Sequence, residues 1–280
     1  MTNQQNSSLP RDIENNAKQP HFNIHKIGIV ARNYNTINDF SNLLPQILKE
    51  LDNEGCDAAL FSLYTIVPRD DLRDAFKELK NIKAVFLEKF RFGVSGQKIE
   101  GHFMDSSPTA EGYFVYYHTS SGWQKYHFYQ EFGSRRRDRH GKKTDVGKFI
   151  KQEFPKRFLG NCCILLCGET NGVTYSQSKK KVDDKFKLRK AIPENVKIIL
   201  NPIHDRMTRH EMPKKRNFLS ANNRWVISVW NKGKRDKNGK VKNETGPAWD
   251  IYHNGKQYPK PIDILQRDGV EIGILDIGKA

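Results

Sequence analysis

Three observations in the amino-acid sequence predict an α/β fold. Residues 25–32 (HKIGIVAR), 38–51 and 57–63 (DAALFSL) follow strand, helix and strand patterns, a β-α-β unit that implies parallel strands. Residues 161–167 (NCCILLC) are a continuous apolar run between Gly160 and Gly168, as in a strand buried on both faces. Strand patterns at 196–200 (VKIIL) and 225–230 (WVISVW) bracket a helical pattern over 207–222.

Taken in order, Ile27, Ile29 and Val30 supply the apolar positions of the first strand. The helix over 38–51 places Phe40, Leu43, Leu44, Ile47, Leu48 and Leu51 at helical spacing, with Pro45 tolerable near its first turn. Residues 70–80 (DDLRDAFKELK) read as a second amphipathic helix with acids in its first turn, leading to a strand at 84–87. Residues 112–119 and 123–129 flank the turn signal Ser120-Ser121-Gly122 and predict a hairpin. After a basic loop and the 161–167 strand, a polar stretch reads as helical. The chain closes on strands at 249–252 and 270–277, with a turn at Asn254-Gly255.

An apolar content of 36% over 280 residues, 11% of them aromatic, is enough for a sizeable core and excludes a disordered chain. No internal repeat or linker divides the sequence, so residues 23–280 are expected to form one domain and residues 1–22 a flexible tail. That tail has no apolar h-region, and no stretch approaches the roughly 18 apolar residues of a membrane span. The four cysteines (Cys56, Cys162, Cys163, Cys167) fit neither a disulfide framework nor a zinc spacing, so a cytoplasmic protein is expected. The net charge of +16 gathers in residues 135–143, 179–190, 206–216 and 232–242. Such blocks offer a foothold for nucleic acid or another polyanion, or are solvated loops. No zinc finger, helix-turn-helix or aromatic-interleaved motif accompanies them.

Several residues carry candidate chemistry. Cys167 sits where a buried strand meets a glycine, the place where open α/β sheets expose a nucleophile; position alone favours a packed structural cysteine. Cys162 and Cys163 read as structural. His204-Asp205 and His210-Glu211 suggest a metal, but their spacing puts the histidines on different helical faces, so no metal or cofactor is expected. Asp183-Asp184-Lys185 carries a nuclease-like D-x-K by chance, and Trp225, Trp230 and Trp249 read as core.

The order of motifs resembles the carbon–nitrogen hydrolases, the nitrilase/amidase superfamily, over most of the chain. Residues 26–32 and Gly55-Cys56-Asp57 before a strand are similar to the opening of that family. Gly122-Trp123-Gln124-Lys125-Tyr126-His127-Phe128 is similar to its Y-R-K-x-H-L segment, and Leu165-Leu166-Cys167-Gly168-Glu169 to its L-I-C-[WY]-[DE]. Residues 196–202, 219–231 and 251–277 follow the family's later strands and closing hairpin. The resemblance implies a four-layer α-β-β-α sandwich and often a homodimer through the helical layers. It also implies an amide or nitrile substrate, attacked by Cys167 with Lys125 stabilising the developing charge and Glu131 in support.

One departure stands out. The family's first catalytic glutamate falls at Leu63, which accepts no proton; Asp70 and Asp71 are the nearest acids downstream, and Glu88 ends another strand. The two functional expectations are therefore an amidase-like hydrolase and a catalytically silent module of the same fold that binds a polyanion.

Overall fold

The computed structural model describes residues 19–34, 36–37, 40–66, 72–91, 109–138, 141–205, 209–233, 241, 245–259 and 262–278. The strands are β1 (Lys26–Arg32), β2 (Ala58–Phe61), β3 (Ala84–Arg91), β4 (Thr109–Thr119), β5 (Gly122–Phe128), β6 (Phe158–Leu159), β7 (Cys162–Ile164), β8 (Thr174–Ser176), β9 (Lys181–Asp183), β10 (Ile198–Asp205), β11 (Trp225–Asn231), β12 (Trp249–His253), β13 (Lys256–Gln257), β14 (Asp263–Arg267) and β15 (Val270–Asp276). The α-helices are α1 (Leu44–Asn53), α2 (Arg73–Phe76), α3 (Val146–Lys148), α4 (Leu188–Ala191) and α5 (Glu211–Leu219).

Two large sheets result. One has the order β14-β15-β1-β2-β3-β4-β5 and the other β13-β12-β11-β10-β7-β6. The expected parallel pairs form at the centre of each: β1 with β2 and β2 with β3, then β7 with β10 and β10 with β11. Side-chain alternation along these strands sorts the apolar residues into three cores. Ile27, Ile29, Leu60, Phe86, Cys162, Ile164, Leu200 and Ile227 lie between the sheets. Val30, Phe61, Val85 and Leu87 face α1 through Ile47, Leu48 and Leu51. Cys163, Leu165, Ile199 and Val226 face the opposite layer through Phe149, Phe154, Leu188 and Leu219. The order is α-β-β-α, as expected.

The structure corrects several local expectations. The first helix begins at Leu44 rather than 38, because Pro45 restrains the residue before it and its ring clashes with helical backbone four residues earlier. In the 70–80 segment only one helical turn, α2, forms among the described residues. The Asp52 carboxylate captures the N–H groups of Lys80, Asn81 and Ile82 and ends it. The polar stretch after Cys167 is helical only in short turns at Glu169–Gly172 and in α4; between them it folds into the β8–β9 hairpin, whose turn uses Lys180 at φ 46°.

Residues 1–18 of the expected tail lie outside the described residues, but residues 19–22 are docked rather than flexible. Gln19 donates to the carbonyls of Pro155 and Phe158 at 2.9 and 2.7 Å, and Phe22 packs edge-on against Phe86. The Phe22 carbonyl passes so close to Gly160, itself at φ 74°, that a Cβ there would sit 1.8 Å from the oxygen. Gly160→Ala should therefore cost about 2–4 kcal/mol in urea unfolding, by overpacking and left-handed strain together. An unchanged midpoint would mean that residues 19–22 do not dock in solution.

Candidate active site around Cys167

The parallel strands of both sheets end on one side of the molecule, where open α/β sheets place their chemistry. Two chain segments stitch the sheets together there. Lys232, after β11, donates its N–H to the Arg32 carbonyl at 2.8 Å and accepts from Tyr34 at 3.0 Å. The Asn231 side chain lies beneath this seam. Its Oδ1 accepts from the Arg32 N–H and the Ser62 hydroxyl, and its Nδ2 donates to the Tyr34 hydroxyl and the Leu63 carbonyl. All the polar groups of this amide are thus satisfied inside the protein.

Cys167 follows β7 and is half-buried, at the start of a tight turn over Glu169–Gly172. The turn is fixed from beneath by Glu169, which is fully buried. Its carboxylate accepts the N–H of Leu166 at 2.9 Å and that of Glu131 at 2.8 Å, and pairs with the buried Arg157 guanidinium. Arg157 also donates to the Tyr129 carbonyl at 2.7 Å. Burial raises the Glu169 pKa, while Arg157 and the two amides pull it down. Gly168 is pressed against the neighbouring loop, where a Cβ would lie 2.3 Å from the Gly133 Cα.

His204, near the end of β10 and with 22% of its side chain exposed, interacts with the Cys167 side chain. Its Nε2 lies 3.4 Å from Oε2 of Glu88, an inward-facing residue of β3, and the Tyr64 ring covers the imidazole at 3.9 Å between centroids. Glu88 is itself buried and aimed by the Tyr64 N–H, which it accepts at 2.7 Å. Burial lowers the imidazole pKa, but Glu88 and Cys167 outweigh it and bring the group up to about 10. Cys167, His204 and Glu88 thus form a thiol–imidazole–carboxylate series drawn from three strands.

The other expected site residues lie elsewhere. Lys125 is exposed on β5 and shares its face with Trp123, whose ring stacks on Phe76 in the outer layer. The residues of β5 that face the second sheet are Tyr126 and Phe128, so β5 sends no lysine toward Cys167. This corrects the Lys125 expectation: one residue of register reverses the face. Glu131 lies in the Arg157–Glu169 cluster, where burial raises its pKa against the pull of Arg157. Leu63 is fully buried in the central core and its carbonyl serves Asn231. Glu88 was recognisable as an acid ending a strand, and His204 only as a poor metal ligand. Their meeting at Cys167 needs the pairing of β2 with β3 and of β7 with β10.

The remaining motifs have structural roles. Asp184 caps α4 by accepting from Leu188 and Arg189, so it is not part of a nuclease site. His210 sits edge-on to Tyr175, and no cluster with metal-binding geometry occurs among the described residues. Trp225, Trp230 and Trp249 belong to the central core. Asp70 and Asp71 lie outside the described residues, as do most of 232–242 and parts of 135–143 and 206–216. Among the described residues no helix is long and apolar enough to cross a membrane.

Two measurements probe this geometry. Arg157→Met strands the Glu169 carboxylate and should cost about 3–5 kcal/mol, most of which Glu169→Gln in the same chain should restore. A loss that the second change does not relieve would break the assignment. For His204, a folded-state pKa near 10 against an ordinary 6.5 means that folding favours the protonated ring. Its contribution is complete below pH 6.5 and disappears as pH rises through 10. Unfolding curves over that range should show the decline in the native chain, with His204→Gln removing that component.

No protein-family model matches the sequence, and no curated protein sequence matches it significantly. Solved structures do. A glutamate-to-leucine variant of the amidase from Nesterenkonia sp. AN1 superposes with a TM-score of 0.51 at 11% identity, covering 91% of this chain and 92% of that one. That variant carries the acetamide moiety of fluoroacetamide covalently added at its active-site cysteine. A cysteine-to-serine variant of the same amidase, described as of the nitrilase superfamily, also gives 0.51 at 11% identity over 91% and 94% of the two chains. With two sheets packed between helical layers, the chain has the four-layer sandwich fold seen in the nitrilase-superfamily amidases.

Proposed function

We propose that the chain is a divergent carbon–nitrogen bond hydrolase, amidase-like, that uses Cys167 as its nucleophile and His204, held by Glu88, for proton transfer. The observation that carries this reading is that His204, near the end of β10, meets both Cys167, just after β7, and Glu88, within β3. The thiolate is the nucleophilic form of a cysteine. Attack on an amide carbonyl gives a tetrahedral adduct. Imidazolium then donates its proton to the departing amine, leaving a thioester. Neutral His204 takes a proton from water, the resulting attack releases the acid, and the thiolate and imidazolium are restored. Glu88 stabilises His204 whenever the imidazole is protonated.

The amidase comparison supports a nucleophilic cysteine without the usual glutamate. In that protein the cysteine was still alkylated with leucine in the glutamate's place, and Leu63 stands at the position the resemblance assigns to it here. A second reading, a silent module for a polyanion, draws on Leu63, on the outward Lys125 and on Lys179, Lys180 and Lys181, exposed around the β8–β9 turn.

Alkylation by fluoroacetamide at pH 7, followed beside hydrolysis of an amide panel, tests the first reading. Cys167→Ala should abolish both, and His204→Ala should slow both by about 10²–10⁴-fold, the usual share of acid–base catalysis. Lys125→Ala should change neither. If His204→Ala matches the native chain, the hydrolase reading fails. Heparin retention that weakens steeply with salt, without hydrolysis, would instead support the module.

A further inference from the structure

The buried face of α5 is unusual in carrying cations. Met212, Lys215, Arg216 and Leu219 recur at helical spacing and are all buried. Arg216 is answered by the Asp250 carboxylate. Lys215, only 4% exposed, has no such partner among the described residues; its ammonium donates to Oδ1 of Asn171 at 2.8 Å. Because that oxygen is committed to a lysine, which cannot accept, the orientation of the Asn171 amide is fixed. Its Nδ2 is then a buried donor with no acceptor, on a residue 8% exposed. Arg136 reaches the same residue from the neighbouring loop, donating Nε to the Asn171 carbonyl at 3.0 Å with its guanidinium over the Phe186 ring.

Two cations and an orphan amide donor thus meet around Asn171. The nearby acid, Glu211, is engaged by Arg209 at 3.3 Å and His210 at 3.7 Å. We propose that Lys215, Nδ2 of Asn171 and Arg136 form a binding site for an oxyanion, a carboxylate or phosphate group carried by a small ligand. Such a group offers several acceptor oxygens and charge-assisted bonds to all three. Burial pulls the Lys215 pKa down to about 8, with Glu211 opposing and Arg209 and Arg136 adding to the fall. A bound anion would favour the charged ammonium again. Asn171 lies in the turn that begins at Cys167, its N–H bonded to the Gly168 carbonyl at 3.0 Å, so the anion would be anchored on the segment that carries the thiol. The site does not depend on the hydrolase reading.

Titration calorimetry with inorganic phosphate and, separately, with acetate tests the proposal at constant ionic strength. At least one anion should bind the native chain at pH 7, with affinity falling as pH is raised past 8. The anion that binds identifies the group. Lys215→Met should weaken binding about tenfold or more, as expected for loss of a charge-assisted bond. Arg136→Gln, at a partly exposed position, provides the same readout if the buried substitution does not fold. Cys167→Ala should bind as the native chain does, which separates this site from catalysis. Binding of neither anion, equal affinity in the lysine or arginine variant, or binding of heparin alone would overturn the proposal.

Discussion

The pairing of Arg157 with Glu169 fixes the position of Cys167, and much of the site follows from it. Both side chains are removed from water, so each charge is tolerable only because the other is present and because backbone donors and acceptors complete the shell. The two carboxylate oxygens are shared between amides from different parts of the chain, Leu166 just before the thiol and Glu131 just after β5. Arg157 also donates to the Tyr129 carbonyl and stacks its guanidinium over Phe128 and Phe149. One ion pair thereby ties the exit of β5 to the exit of β7. The loop at Gly133 is consequently held so near that position 168 has no room for a side chain.

A second constraint sits across the seam between the sheets. Where the family resemblance places a carboxylate after β2, this chain has Leu63, and the space is occupied by apolar core. The polar work at this end falls to Asn231, an amide that links β1, the chain after β2 and β11 without a net charge. A neutral hub needs no counter-ion, which leaves the local acid, Glu88, available to His204. The acid therefore comes from β3 rather than from the end of β2. It reaches the thiol through an imidazole instead of touching it directly.

Hydrogen-bond satisfaction separates the tight parts of the molecule from the poised ones. Around Asn231 and Glu169 nearly every donor meets an acceptor, and such networks are rigid. Around Asn171 and Lys215 the donors exceed the acceptors. The two kinds of environment flank the Cys167 turn, one on the Glu169 side and one on the Asn171 side.

The sequence by itself determined the α/β class, the central strands, the location of Cys167 at a strand end and the core role of the three tryptophans. These follow from apolar periodicity and glycine placement, which act over a few residues and survive without tertiary context. It misplaced what depends on facing. Lys125 and Tyr126 are adjacent in the chain, yet the pleat sends one to solvent and the other into the core, and a motif match is blind to that parity. A polar stretch has no apolar period to decide between helix and hairpin, so the β8–β9 hairpin is not legible in it. Only the tertiary structure joined His204 to Glu88, 116 positions away, and to Cys167, 37 positions away. Their proximity is set by which strands pair and in what register, and those long-range pairings are written in the packing of the two sheets rather than in any local run of sequence.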